Sequence, residues 1–415
     1  MSPGARSTRS GAERLTAELE RLGARALVVL ASNASEPDLA PFARGARLGE
    51  AFVVVPRGKA PRLGYWTPME RDEAAASGLE LLTPEQLELV RLARENPEPP
   101  EYLAAVLGAA LERCGIAPGL VALAGSWPAG VLVEASDRMR SDGWIFVAGT
   151  DASRRARKSK SEEEIAEVGR VARGTVDGFR AVADRLAGAV VRDGELWSDG
   201  ERLTVGRLKR EVALVFAAQA LSEPRENIVA PGEEGGVPHS SGTPDRVLRT
   251  GESLIVDLFP KGRLFADCTR TFCLGVPPEP IARAHAEVLS ALDLARSRAV
   301  AGRRGWEIQQ AVCALFGACG RPTPVSHAGT LRGYVHNLGH GVGYELHELP
   351  SFKESVGADD GILEAGDVLT LEPGLYEPGA GGFGVRLEDL YVVRPEGLEN
   401  LTPLPYDLDP RAWPD

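Results

Sequence analysis

The chain has 415 residues, 43% of them hydrophobic and 26% charged, with a formal net charge of −12. That length exceeds one ordinary domain and suits two. The acidic balance speaks against sequence-independent nucleic-acid binding, which needs basic patches, and no run approaches the ~18 apolar residues of a membrane span. Five cysteines without a CxxC pair read as free thiols in a reducing compartment, so the expected location is the cytoplasm.

Leu15, Leu19 and Leu22 recur at helical spacing. Ala26 to Leu30 and Phe52 to Val55 read as buried strands. Thr83-Pro84 reads as a helix start and Tyr102 to Cys114 as a further helix. Leu120 to Ala124 and Trp144 to Val147 complete the strands. Residues 1–150 are therefore expected to form a small α/β domain that groups no catalytic residue types. Segment 151–160 (DASRRARKSK) reads as a solvated basic connector opening a second domain, 151–415. Ser161 and Glu164 fit a capping box, and Ile165, Val168, Ala172, Phe179, Val182 and Leu186 follow at helical spacing. A helix near 203–220 then precedes a hairpin over 254–272. The order repeats, with helices near 280–300 and 306–319 and a hairpin over 369–390. Two helices and a hairpin, twice, predict an internally duplicated domain with a pseudo-two-fold axis. Both hairpins are expected in one sheet, with the helices on its outer face.

Each hairpin carries two carboxylates. A turn at Pro260, Lys261 and Gly262 predicts Asp257 directly across from Asp267. The turn Gly379-Ala380-Gly381-Gly382 predicts Glu372 across from Glu388, with Thr370 and Arg386 on the same face. Cross-strand Cβ atoms lie roughly 5 Å apart, so each pair could share a metal ion. A buried carboxylate without a partner is costly, which makes matched pairs in apolar strands point to metal. Of the six histidines, His285 falls on a helical stripe and reads as structural, and His327 sits in a loop with no obvious role. His336, His340 and His347 lie in YVHNLGHGVGYELHE, where Gly339, Gly341 and Gly343 would let the backbone pass close to a ligand. His239 lies eighteen residues before Asp257. Imidazole with carboxylates and no cysteine suits manganese, cobalt, iron or zinc. Four carboxylates balance two divalent ions, which can bring the pKa of bound water to roughly 7. The reaction class is hydrolysis of an amide or phosphoester, with the flanking histidines steadying an oxyanion or passing protons.

These residues stand in PHSSGTP (His239), IVDLFP (Asp257), ADCTRTF (Asp267), HNLGHGVGYELHE (His340 and His347), LEPGLY (Glu372) and GVRLED (Glu388). Together the motifs resemble the pita-bread metallopeptidase family, in its aminopeptidase P, prolidase and creatinase branch, in the family's order over residues 160–400. The resemblance implies a pita-bread catalytic domain behind an α/β N-terminal domain of creatinase/prolidase type. It implies that Asp257, Asp267, His340, Glu372 and Glu388 hold two divalent ions, manganese foremost, with Asp267 and Glu388 bridging. His239 and His347 would face the substrate. Glu372 would also handle the proton of the water, Arg386 would support the last glutamate, and His336 would play a supporting part. The implied activity is hydrolysis of the Xaa-Pro bond at the N-terminus of short peptides, or in Xaa-Pro dipeptides, by a metal-bridging hydroxide. A homodimer is expected, because the family's N-terminal domains often pair subunits. A hydrolase of another amide or phosphoester, and a non-catalytic scaffold that keeps the ligands, stay open. Arg332, in the long loop Pro322 to Gly333, is a candidate reader of a free proline carboxylate.

Overall fold

A computed structural model describes residues 10–33, 35–354, 357 and 360–413. The chain divides into two compact units, Arg9–Lys158 and Ser159–Asp415. In the first, strands β1 (Ala26–Ala31), β2 (Ala51–Pro56), β3 (Arg62–Tyr65), β4 (Glu80–Leu82), β5 (Leu120–Ser126) and β6 (Ile145–Ala148) form a sheet of order β4-β3-β2-β1-β5-β6. Central β1 runs antiparallel to β2 and parallel to β5. Its Val28 and Leu30 join a core with Val106 and Leu107 of helix Pro99–Arg113. Its Leu27 and Val29 join another with Leu15 and Leu19 of helix Gly11–Leu22. Both faces are covered, which is why the strand is apolar at every position, ALVVLA.

Two local readings are corrected. Thr83 does make capping bonds, its Oγ1 accepting from the Gln86 N–H at 3.2 Å. The turn closes at Glu88, whose φ of +54° is left-handed, and the helix itself is Leu89–Glu95. The basic segment is no solvated linker. Residues Thr150–Ala156 form a helix with Ala152 and Ser153 buried, and Ser153 and Arg157 both meet Asp38, at 2.7 and 3.4 Å. A short amphipathic stretch can bury its small residues and aliphatic arginine stems while its charges find partners.

The second unit opens on helix Glu162–Ala187, whose capping box is complete: Ser161 Oγ accepts from the Glu164 N–H and the Glu164 carboxylate accepts from the Ser161 N–H. A small sheet follows, of β7 (Val190–Arg192), β8 (Glu195–Ser198) and β9 (Glu201–Arg202). After helix Val205–Ala218 come β10 (Ile228–Pro231), β11 (Leu254–Leu258) and β12 (Cys268–Phe272). Helices Glu279–Arg298 and Gly305–Ala318 precede β13 (His340–Gly341), β14 (Glu348–Ser351), β15 (Val368–Leu371), β16 (Gly374–Glu377), β17 (Phe383–Arg386), β18 (Asp389–Arg394) and β19 (Gly397–Asn400). The order of a helix pair followed by a hairpin thus occurs twice.

The hairpins do not share one continuous sheet. β10-β11-β12 form one, β14-β13-β15-β18-β19 another, and β16-β17 a separate ribbon. The long second hairpin is interrupted between β15 and β16, at Glu372-Pro373. Proline has no N–H to give to a ladder, so pairing breaks there. Among the described residues one isolated bridge, Thr269 to Glu388, links the two sheets. In β15, Leu369 and Leu371 enter a core with Val288 and Leu292 of one helix and Val312 and Phe316 of the next. Thr370 and Glu372 consequently point the other way. A slip of one residue would bury the glutamate against the helices, so the apolar set pins the carboxylate's face.

Candidate active site

The register of the first hairpin differs from the expected one. Asp257 pairs with Thr269 and Leu258 with Cys268, so Asp267 lies two residues off the predicted partner position. The connection does not fold as a tight turn at Gly262. Lys261 bridges Phe265, and the Ala266 N–H donates to the Pro260 carbonyl at 3.2 Å. A shift of two preserves side-chain parity, so Asp257, Asp267 and Thr269 still share a face. In the second hairpin Leu371 opposes Asp389 and Gly374 opposes Arg386, and the same register carried across the break places Glu372 opposite Glu388.

The carboxylates converge on His340. Its Nε2 lies 3.3 Å from Glu372 Oε1 and 3.6 Å from Asp267 Oδ2. Asp267, His340 and Glu388 each offer a ligand atom within 4.8 Å of the others. His340 Nδ1 sits 3.1 Å from the Gly341 carbonyl, which can only accept, so Nδ1 carries a proton and Nε2 is the ring atom turned to the carboxylates, where it could ligate an ion. Several carboxylates gathered round one imidazole in a buried place are stabilised by a cation among them. Oδ1 of Asp257 and Oδ1 of Asp267 are buried and without a hydrogen-bond partner, which fits a cation there as well. Burial, then the neighbouring charges of Glu388, Asp257 and Glu372, pushes the Asp267 carboxyl well above the usual carboxylate range. Burial, then Glu372 and Asp257, does the same to Glu388. The donor set of oxygens and one imidazole, with no thiolate, suits a borderline-to-hard divalent ion.

Arg386 brings a buried positive charge to this cluster. Its Nη2 meets Asp257 Oδ2 at 2.7 Å, its Nη1 donates to Tyr376 Oη at 2.8 Å and to the Pro238 carbonyl at 3.3 Å, and its Nε donates to Thr269 Oγ1 at 3.1 Å. Thr269 Oγ1 in turn donates to Glu388 Oε2 at 2.7 Å. Thr269 and Tyr376 carry no role in the sequence reading. Period-2 alternation of Asp267, Thr269 and Thr271, against Cys268, Arg270 and Phe272 on the other face, would have flagged the threonine.

His347 stacks on His340, ring centroids 4.0 Å apart. Burial, with His340 and Arg225 adding positive charge, holds its pKa down to about 4. His239 is exposed, and its neighbour Pro238 is tied to Arg386. His336 Nε2 meets Tyr376 Oη at 2.9 Å, one step removed from Arg386. All the residues singled out from sequence around the carboxylate hairpins thus gather at one place. Others do not join them. His285 Nε2 donates to the Tyr406 carbonyl at 2.7 Å, and the His327 ring meets Ser326 Oγ at 3.0 Å. The Arg332 side chain is 67% exposed and paired with Glu377 at 3.2 Å, so a substrate carboxylate would have to displace Glu377. The glycines do bring backbone close: a Cβ on Gly339 would lie 2.0 Å from the Thr370 oxygen, and one on Gly341 2.0 Å from the Leu349 oxygen.

The segment 165–395, more than half of the chain and all five candidate ligands, matches the model of Metallopeptidase family M24. The chain belongs to metallopeptidase family M24. This M24 member is therefore a metallopeptidase, and the family implies divalent metal. It is 30% identical over 321 residues, 76% of this chain and 74% of the relative, to the Mycobacterium tuberculosis protein named Probable dipeptidase PepE. It is 31% identical over 211 residues to the Xaa-Pro dipeptidase of Pyrococcus furiosus, covering 49% of this chain and 56% of that one. The prolidase of Pyrococcus horikoshii superposes with a TM-score of 0.73 at 20% identity, over 96% of this chain and 99% of that one. The architecture is thus the pita-bread fold preceded by an α/β domain. Among the described residues no helix is long and apolar enough to cross a membrane.

Proposed function

We propose that this M24 metallopeptidase hydrolyses Xaa-Pro bonds, in dipeptides or at the N-terminus of short peptides, with two divalent ions held by Asp257, Asp267, His340, Glu372 and Glu388. The observation that carries the reading is the convergence of Asp267, His340 and Glu388 beside two orphaned carboxylate oxygens, in a chain similar to one named Xaa-Pro dipeptidase. Formal charge supports two ions. Four carboxylates and the Arg386 guanidinium total −3, so one divalent ion leaves −1 and two leave +1, which one small anion completes. When bound, the ions supply Lewis acidity and a water of lowered pKa. Asp267 and Glu388 are the bridging carboxylates in this reading. Arg386 fixes Asp257 and, through Thr269, Glu388. Glu372 accepts the proton of the attacking water and delivers it to the proline nitrogen as the carbonyl carbon–nitrogen bond breaks, so the water divides into the new carboxyl oxygen and the amine hydrogen.

Manganese is the ion we propose, with cobalt, zinc or iron as the alternatives of the same donor chemistry. A cytoplasmic site is supported by the five free cysteines, and a homodimer by the presence of a folded first unit without chemistry of its own. Sedimentation at micromolar concentration tests the dimer, and a monomer there would remove it.

The test of the activity is hydrolysis of an Xaa-Pro dipeptide, an Xaa-Pro-Yaa tripeptide and an Xaa-Ala control by manganese-reconstituted protein. The proline substrates should be cleaved, a chelator should abolish the rate and manganese should restore it. Fewer than one ion per chain after reconstitution, or equal cleavage of the alanine control, would overturn the proposal. His239→Ala and His347→Ala should keep metal and lose turnover on the order of 10²-fold, the scale of one oxyanion donor or proton-transfer group. Metal analysis beside kinetics checks this, since a variant that sheds its ions makes that histidine a ligand.

A further inference from the structure

We propose that Gln309, on helix Gly305–Ala318 and far from the ligands in sequence, is the positioning residue that templates the loop 334–340 for metal binding; this rests on the two-ion reading above. The helix buries Ile308, Val312, Cys313 and Phe316 as an apolar stripe, and Gln309 occupies a position on that stripe at 1% exposure. An amide in such a place is costly unless its hydrogen bonds are met. Every strong partner it has comes from one loop. Gln309 Oε1 accepts from the Leu338 N–H at 2.6 Å and from Tyr334 Oη at 3.0 Å, and its Nε2 donates to the His336 carbonyl at 3.3 Å. The remaining contact is weak, Nε2 to Cys313 Sγ at 3.6 Å.

The consequence reaches two candidate ligands. The Leu338 carbonyl accepts the Glu372 N–H at 2.7 Å, so the same peptide segment that Gln309 grips also sets the end of β15 where Glu372 leaves the strand. Two residues on, the His340 N–H donates to Thr370 Oγ1 at 3.2 Å. The loop between Tyr334 and His340 has no regular secondary structure of its own. It is clamped between the Gln309 amide on one side and Thr370 to Glu372 on the other. The Gln309 side chain bonds Tyr334, His336, Leu338 and Cys313, none of them a candidate ligand. It acts on the ion pair by holding the backbone from which His340 projects and against which Glu372 is set, the kind of outer support whose loss typically weakens metal affinity by about 10- to 100-fold.

Metal affinity of the folded protein, measured by competition with a chromophoric chelator for manganese, tests the assignment. Gln309→Met preserves volume and removes all three bonds, and should weaken manganese binding about tenfold or more. Gln309→Glu keeps acceptors for Leu338 and Tyr334 but sets a carboxylate oxygen against the His336 carbonyl in a buried place, and should also weaken manganese binding about tenfold. Tyr334→Phe removes one bond to Gln309 without touching the Leu338 peptide, and should stay within about threefold of wild type, since it leaves the ligand-bearing backbone held. Manganese binding by Gln309→Met within about threefold of wild type would overturn the proposal. If Gln309→Met fails to melt cooperatively, the comparison of Gln309→Glu with Tyr334→Phe decides, and an equal affinity of those two overturns it. Absence of manganese binding by wild type would instead sink the two-ion reading itself.

Discussion

Asp267→Asn and Glu388→Gln are expected to lose both ions and, with them, activity by more than the roughly 10²- to 10³-fold that one oxyanion donor contributes. Each is proposed to bridge, so neutralising either removes a ligand from two ions at once. The same substitution should act on stability in the opposite direction. In the metal-free protein Asp267 is a buried carboxyl whose pKa is raised by burial and then by Glu388, Asp257 and Glu372. A group with a raised native pKa favours folding fully below its unfolded pKa and loses that contribution as pH rises through the native value. At pH 8 the metal-free wild type has lost part of that contribution, whether it takes up a proton on folding or holds the charge where charge is penalised, whereas asparagine stays neutral. Metal-free Asp267→Asn should therefore melt at or above metal-free wild type at pH 8, and the gap should close towards pH 4. Calorimetry with metal analysis checks both halves. Retention of two ions and full rate would end the bridging assignment, and a lower melting temperature at pH 8 would mean that the carboxylate cluster is not under strain.

Arg270→Met should produce the largest loss of stability of any single change discussed for this fold, about 3–5 kcal/mol. The Arg270 and Asp389 side chains are essentially inaccessible and 2.6 Å apart. Arg270 also donates to the carbonyls of Glu388, Thr269, Pro405 and Leu404, at 2.6, 2.9, 2.8 and 3.0 Å, and lies over the Tyr406 ring at 4.6 Å. Truncation leaves five carbonyls, those four and that of Thr402 at 3.5 Å, and one buried carboxylate short of a donor. For a unit of this size the melting temperature should fall on the order of 10 °C. The double variant Arg270→Met/Asp389→Leu should recover little, because it removes the stranded charge but leaves the same carbonyls without Arg270 and strands Tyr391, Asn400 and Tyr406, which donate to Asp389. A single-variant cost below about 1 kcal/mol would show that water reaches the pair and that burial there is overstated.

Much of the active site follows from parity and turn chemistry. Leu369 and Leu371 alternating with Thr370 and Glu372 fix which way Glu372 points, whereas β11, LIVDL, is buried at every position and its pattern alone leaves the face of Asp257 open. The glycine-rich turn 379–382 also sets the second register, because a short turn leaves little choice of pairing. The capping box at Ser161 is local for the same reason: all its partners lie within three residues. What the sequence left open depends on distance along the chain. The first register slipped by two because the connection 259–266 folds back on itself through bridges that no turn signature announces. The break at Pro373 is a local fact, but that Thr269 closes the gap to Glu388 requires two segments 119 residues apart to meet. Gln309, Arg270 and Asp389 read as polar residues in buried stretches, which says that each needs partners and nothing about which. Periodicity reports the face a side chain takes. The identity of what it meets there is decided only when the helices and hairpins pack.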